Sequence, residues 1–94
     1  MSRVFQKAYS LGDYNPLRAI ELYNIEIDVN PENFPAWQNR ELCKLKLAIE
    51  NKDLGLLDES KVDFKKAIEL ATTFGTQGFQ IAEDNLKWAE ETRF

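Results

Sequence analysis

Apolar side chains recur every three or four residues through most of the chain, and this helical period limits what the chain can fold into. Between residues 58 and 72, for example, one stripe is formed by Val62, Phe64, Ala67, Ile68 and Ala71. No stretch shows the sustained alternation of apolar and polar residues that is typical of a half-buried strand. The sequence therefore predicts an all-α fold.

Breaking and capping residues divide this pattern into about five helices. Gly12 interrupts the first helix, and Asn15 before Pro16 is a start signal, because asparagine can cap an amide while proline suits the first turn. Gly75 ends the fourth helix and Thr76 can cap the last one. The predicted helices cover residues 2–11, 16–29, 35–48, 58–72 and 76–93.

The connections between these helices are short enough to predict a single domain over residues 1–94. It consists of an antiparallel helical hairpin over residues 2–29, a second hairpin over residues 33–73 and a capping helix over residues 76–93. A chain of 94 residues can bury a sufficient core without disulfides or metals.

The charge and residue counts exclude several classes of function. Sixteen acidic against twelve basic residues give a net charge of −4, whereas proteins that bind nucleic acid usually have a concentrated basic face. The chain has no histidine and one cysteine, which excludes an internal disulfide, most zinc sites and histidine-dependent catalytic triads. The remaining carboxylates are scattered over helix surfaces, so we expect neither an enzyme nor a cofactor.

The same composition predicts a location. No apolar run approaches the roughly 18 residues that a membrane-spanning helix needs, and no secretory signal is evident at the N-terminus. We therefore expect a cytoplasmic protein that binds no membrane.

Two minor features have structural interpretations. Cys43 stands at a small-residue position, where a thiol is expected to behave as a small, inert, buried group. Asn51, Asp53 and Glu59 around Gly55 resemble a calcium loop only faintly, because the carboxylates are too few. Residues 50–57 are predicted to form a plain loop.

The second and fourth predicted helices repeat each other. A shift of 41 residues relates Ala19, Tyr23, Ile27 and Val29 to Ser60, Phe64, Ile68 and Leu70. In each helix a small residue precedes an aromatic residue on the same face. The small residue lets two helices approach closely, and the aromatic ring fills the gap to the next hairpin.

This pattern resembles the tetratricopeptide repeat (TPR), a helical hairpin of about 34 residues with an early aromatic, a later small-aromatic pair and a closing proline. Ala19, Tyr23 and Pro31 have the family's spacing, and Trp37 stands at the early aromatic position of the next unit. The resemblance covers most of residues 3–71 and implies TPR-like antiparallel hairpins stacked as a right-handed solenoid.

Three features depart from the family pattern. Glu41 stands where the family usually has glycine, Lys44 stands where it usually has an aromatic residue, and the predicted loop over residues 50–57 lengthens the second unit. A generic helical bundle, in which Tyr23 and Phe64 are ordinary core residues, is the alternative fold.

The resemblance also implies a function, because partners of this family commonly lie in a concave groove lined by the first helix of each hairpin. Register places on this groove Gln38, Asn39, Leu42 and Leu45 of the third helix, Phe5, Gln6 and Tyr9 of the first, and Phe79, Gln80 and Glu83 of the fifth. Aromatic rings supply contact area and amides pair with backbone, so we expect the groove to bind a peptide or helix of another protein. The alternative is that Phe5 and Phe79 belong to the core.

One ligand known in this family is disfavoured. A subset of TPR proteins clamps the carboxylate tails of chaperones with lysine, asparagine and arginine. Asn39 matches one of those positions, but Gln6 replaces an asparagine, and Thr76 and Gln80 replace cations. Without cations, two carboxylates have little to pair with.

A self-associating structural or assembly subunit is the alternative function. Two repeats and a terminal helix are fewer than the three or more repeats that usually make a stable array, so exposed ends could pair in a homo-oligomer. Trp88 and Phe94, at the end of the chain, would make the contacts.

Overall fold

The chain folds into helices that follow one another with short connections. The structure is a computed structural model that describes residues 2–74 and 79–93. Within those ranges every regular element is helical, which confirms the all-α prediction and the expected number of helices. They are α1 Arg3–Leu11, α2 Pro16–Val29, α3 Phe34–Asn51, α4 Leu54–Phe74 and α5 Phe79–Glu91.

Side-chain caps fix the starts of the first four helices. In each case the side chain before the helix accepts a hydrogen bond from a backbone N–H one turn later, which satisfies an otherwise unpaired donor. The four caps are Ser2 at 3.0 Å, Asn15 at 3.3 Å, Asn33 at 3.2 Å and Asp53 at 3.0 Å. The predicted exit at Gly75 and cap at Thr76 lie outside the described residues.

The turn between α3 and α4 is much shorter than predicted. Lys52 ends α3 in the left-handed conformation with a φ of 54°, and the Asp53 side chain caps α4 immediately afterwards. The predicted loop over residues 50–57 is therefore wrong, because α3 runs to Asn51 and α4 begins at Leu54. Glycine usually marks such a left-handed helix end, and here lysine takes its place.

Packing follows the order of the chain. Each of the five described helices lies against its neighbours in sequence, and α3 also touches α5 over a smaller area. Short connections such as these favour antiparallel packing of neighbouring helices. The radius of gyration is 12.4 Å, which agrees with the value of about 12 Å expected for a compact domain of this length.

Buried side chains form clusters on both sides of α3. One cluster lies between α1, α2 and α3 and contains Phe5 and Tyr23. The others lie between α3, α4 and α5 and contain Leu45 and Phe64 in one and Phe34 in the other. Because α3 contributes to every cluster, it is the central element of the core.

The small-aromatic pairs found in the sequence lie within this core. Ala19, Ser60 and Phe64 are fully buried, and Tyr23 is 1% exposed. The Ser60 hydroxyl donates a hydrogen bond of 2.7 Å to the carbonyl of Leu57, so this buried polar group is satisfied within its own helix. Both pairs are therefore core residues, as the TPR-like hairpin and the alternative helical bundle both predict.

No helix in the described part of the chain is both long enough and apolar enough to cross a membrane.

Replacing Phe64 by alanine is expected to lower the free energy of unfolding by about 3–5 kcal/mol, because it leaves a cavity at a fully buried site. Val62→Ala is the matched control, since Val62 is two residues away on the same helix and 64% exposed. Its effect should stay within about 0.5 kcal/mol. Equal losses in urea unfolding of the two variants would contradict the described orientation of α4.

Cys43 is expected to react slowly with thiol reagents in the folded protein. Its side chain is 5% exposed, and burial raises the pKa of its thiol to about 11, partly opposed by the charge of Lys46. The reactive species is the thiolate, which is scarce at neutral pH under these conditions. Labelling should become fast only in denaturant, and rapid labelling of the native protein would show that Cys43 is misplaced.

Candidate functional site

A groove runs along the surface between α1 and α3. Its walls are formed by Gln6, Tyr9 and Asp13 on one side and by Pro35, Asn39, Leu42 and Lys46 on the other. Within each set the residues are three or four positions apart, a spacing that keeps side chains on one helix face. The groove is therefore a direct consequence of placing one face of α1 opposite one face of α3.

The part of the groove near the start of both helices, here called the upper chamber, is apolar. It is lined by Phe5, Gln6, Tyr9, Pro35 and Asn39 and has a volume of about 430 Å³. None of its lining residues carries a charge, and the only polar side-chain groups are two amides and a phenol. The upper chamber suits an uncharged, bulky group.

The second part, the lower chamber, is more polar and has a volume of about 250 Å³. Its lining consists of Tyr9, Gly12, Asp13, Tyr23, Asn39, Leu42, Cys43 and Lys46. Tyr9 and Asn39 line both chambers. The two chambers are therefore adjacent parts of one elongated cleft.

Tyr9 is the side chain of the groove that is most available to a ligand in both chambers. It is 67% exposed, although an aromatic ring gains free energy when it is covered. Asn39 on the opposite wall is partly buried and carries an amide that can donate and accept hydrogen bonds. The groove thus places a ring and an amide across from each other.

The floor of the groove belongs to the core. The ring of Phe5 is 3% exposed and meets the ring of Tyr23 edge-on, with 5.8 Å between their centroids. Burial raises the pKa of the Tyr23 phenol, and hydrogen bonding to the Asn39 side chain acts in the opposite direction. Tyr23 therefore stays a neutral phenol, and Asn39 links this floor to the wall above it.

An ion pair crosses the lower chamber. The Lys46 ammonium lies 3.2 Å from the Asp13 carboxylate, with side-chain exposures of 49% and 86%. An ion pair this exposed contributes at most about 1 kcal/mol to stability. Breaking this ion pair so that either side chain can bind a ligand therefore costs little free energy.

The structure brings together half of the site residues predicted from the sequence. Phe5, Gln6, Tyr9, Asn39 and Leu42 all line the two chambers. Phe5 does so from the floor, so the alternative that it is a core residue is confirmed. For Phe79 the side chain lies outside the described part of the structure.

The other predicted site residues lie elsewhere. Leu45 is fully buried in the core between α3, α4 and α5, so its assignment to an open groove wall is wrong. Gln38 is partly buried, and its amide oxygen has no hydrogen-bond partner among the described residues. Gln80 and Glu83 are exposed on α5, where Gln80 donates to Asp84 at 3.0 Å.

Sequence reasoning missed several lining residues. Asp13, in the turn after α1, lies four residues after Tyr9 and lines the lower chamber with it. Lys46 continues the face of Asn39 and Leu42. Extending the helix face by one turn on each side would have found both, whereas the contribution of Tyr23 from α2 depends on packing that the sequence does not display.

The groove contains no candidate metal site in the described part of the chain. Within the described residues, no cluster of three or more histidine, cysteine, aspartate or glutamate side chains could hold a metal ion. The exposed and half-buried groups along the groove include the Tyr9 ring, the amides of Gln6 and Asn39 and the exposed Lys46–Asp13 ion pair, groups that can make contacts and hydrogen bonds.

Comparison of the chain with protein-family models, with curated proteins and with solved structures gives no significant match. Function must therefore be inferred from the groove and the residues that line it.

Proposed function

We propose that this protein is a TPR-like binding module that holds an extended segment of another protein in the groove between α1 and α3. The observation that carries this proposal is the upper chamber, an uncharged cleft of about 430 Å³ with the exposed ring of Tyr9 on one wall and the amide of Asn39 on the other. The role is binding and not catalysis, and the location is the cytosol, which suits a free buried cysteine.

The shape of the groove favours a peptide over a compact small molecule. The upper and lower chambers are adjacent and share Tyr9 and Asn39, so a ligand that fills both must be elongated. An extended chain presents side chains and backbone amides in alternation along its length. The side chains of the peptide can enter the chambers, while its backbone amides form hydrogen bonds with the amides on the groove walls.

The lining defines the chemistry of the segment. A large aliphatic or aromatic side chain suits the upper chamber, because no charge lies among its lining residues and the Tyr9 ring can cover the side chain. A polar or charged side chain suits the lower chamber, where Lys46 and Asp13 can each form a new pair. Gln6 and Asn39 provide amides for the peptide backbone.

The packing of the helices supports the family resemblance in this proposal. The small-aromatic pairs Ala19–Tyr23 and Ser60–Phe64 are buried, as a TPR hairpin requires, and the helices pack in chain order. The short turn at Lys52 and Asp53 replaces the predicted loop, but the second unit is still longer than the family's repeat, because α3 and α4 extend through the residues assigned to that loop. Glu41, which replaces the usual glycine, remains a departure.

Replacing Tyr9 by alanine is expected to weaken peptide binding roughly tenfold to hundredfold, since a lost aromatic contact at an interface costs about 1–3 kcal/mol. The melting temperature should change little, because the Tyr9 side chain is 67% exposed. The probe is a displayed library of random peptides, from which binders are selected on the immobilised protein and then measured in solution.

Tyr14→Ala is the matched control. Tyr14 is also an exposed tyrosine, at 78%, but it lies in the turn after α1 and lines neither chamber. Peptides selected by the wild-type protein should bind Tyr14→Ala normally. Normal binding to Tyr9→Ala, or equal losses in both variants, would place the binding surface outside the groove.

A self-associating subunit remains the second candidate, because Trp88 on α5 is 46% exposed and could be covered by another copy. If assembly is the function, sedimentation at micromolar concentration should show a dimer or larger species, and Trp88→Ala should dissociate it. The peptide-binding proposal expects a folded monomer. The predicted contact through Phe94 lies outside the described residues.

A further inference from the structure

A polar cluster lies within the seam between α3 and α4, away from the groove. It consists of Arg40, Glu41 and Lys44 of α3 and Asp63 of α4. Glu41 is fully buried, and the side chains of the other three are only 12–15% exposed. A buried cluster of four ionisable groups is costly unless every member is paired.

The cations of the cluster are directed mainly at Asp63. Its carboxylate accepts from Arg40 Nη2 and from Lys44 Nζ, both at 2.9 Å. The Arg40 Nη1 donates to the amide oxygen of Asn24 at 2.9 Å, which ties the cluster to α2. Asp63 therefore has the hydrogen bonds that an ionised carboxylate needs.

Glu41 has fewer hydrogen-bond partners than Asp63. Its Oε1 accepts from Arg40 Nε at 2.7 Å, whereas its Oε2 is buried and has no donor partner among the described residues. As a carboxylate, Glu41 would bury an unpaired charged oxygen beside a second carboxylate. As a carboxylic acid, Oε2 would become a donor, and the neighbouring acceptor is Asp63, since the Arg40 guanidinium binds both carboxyl groups, at 2.7 Å from Glu41 and 2.9 Å from Asp63.

We propose that Glu41 is protonated in the folded protein and donates its carboxyl hydrogen to Asp63, so that one shared proton closes the seam between α3 and α4. Two neighbouring carboxyl groups cannot both ionise without strong repulsion, and such pairs hold a proton between them. The seam loses this hydrogen bond and gains a repulsion when the proton leaves. The contact between α3 and α4 is therefore pH-sensitive, and it stabilises the fold more at low pH than at high pH.

The ionisation behaviour of the two groups supports this assignment. Burial raises the pKa of Glu41 to about 9, the Asp63 carboxylate adds to the rise, and Arg40 and Lys44 act against it. Burial alone would also raise the pKa of Asp63, but hydrogen bonds from Glu41 and Lys44 and the charge of Arg40 hold it below its ordinary value. The proton thus belongs to Glu41.

The groups that face Glu41 come from each helix that the cluster joins. Its own helix presents Arg40 and Lys44, α4 presents Asp63, and α2 presents only the neutral amide of Asn24 through Arg40. Glu59 of α4 also pairs with Lys44, with 3.7 Å between Glu59 Oε1 and Lys44 Nζ, and its side chain is 63% exposed. Of the two carboxyl groups in the cluster, Glu41 has fewer cationic donors than Asp63.

The sign of the pH dependence follows from these shifts. The folded protein holds the Glu41 proton more tightly than the unfolded chain, whose glutamate has the ordinary pKa of 4.5. The contribution of the Glu41 proton to the free energy of unfolding is therefore fully present below about pH 4.5. It is lost as the pH rises to about 9. Asp63, with its lowered pKa, loses its contribution only when the pH falls below its ordinary value of 3.8.

The test is chemical unfolding of the wild-type protein and Glu41→Gln between pH 5 and 9. Glutamine keeps the shape of the side chain and a donor toward Asp63, but it cannot titrate. The wild-type unfolding constant should rise with pH, by at most about tenfold per pH unit for one proton. The rise should be clearly shallower in Glu41→Gln.

Glu59→Gln is the matched control, because it makes the same chemical change at the exposed edge of the cluster and should keep the wild-type pH dependence. A second measurement, carbon NMR of the glutamate carboxyl groups in the wild-type protein, should show one carboxyl still protonated at pH 7, and it decides the question if Glu41→Gln does not fold. An unchanged slope in a folded Glu41→Gln, or a full set of ionised carboxylates at pH 7, would overturn the proposal.

Discussion

The burial of Tyr23 is the interaction on which the first half of the structure depends. This ring comes from α2, meets Phe5 of α1 edge-on and reaches the Asn39 side chain of α3. It can lie so deep because Ala19, one turn earlier, leaves room for a neighbouring helix to approach. The same ring closes the floor of the lower chamber, so the groove has the shape that the core imposes.

Much of this fold could be predicted from the sequence because its signals are local. The Asn15–Pro16 start acts within one helical turn, and the cap forms as expected. The sequence did not predict the short turn after α3, because Lys52 has a left-handed conformation that is unusual for lysine. Lysine is not a residue that sequence patterns associate with a left-handed helix end.

The candidate site was predictable only in part. Gln6, Tyr9 and Asn39 were predicted because the resemblance to the tetratricopeptide repeat carries groove positions over by register. Which side of a helix meets another helix depends on packing, and Leu45 is covered by α4 and α5 although it lies close in register to exposed positions. The Glu41–Asp63 pair joins two helices through partners far apart in sequence, so no motif identifies it in advance.

The indole of Trp37 gives the molecule an optical reporter of its own state. The indole N–H donates to the carbonyl of Pro31 at 2.8 Å, and the guanidinium of Arg40 lies 4.7 Å from the ring centroid. Because Arg40 also binds Asp63, a rearrangement that moves Arg40 changes the distance between its charge and this fluorophore. Trp88, which is 46% exposed on α5, supplies a second emission from a wetter environment. The intrinsic fluorescence of the unlabelled protein therefore combines a signal from the seam with one from the surface.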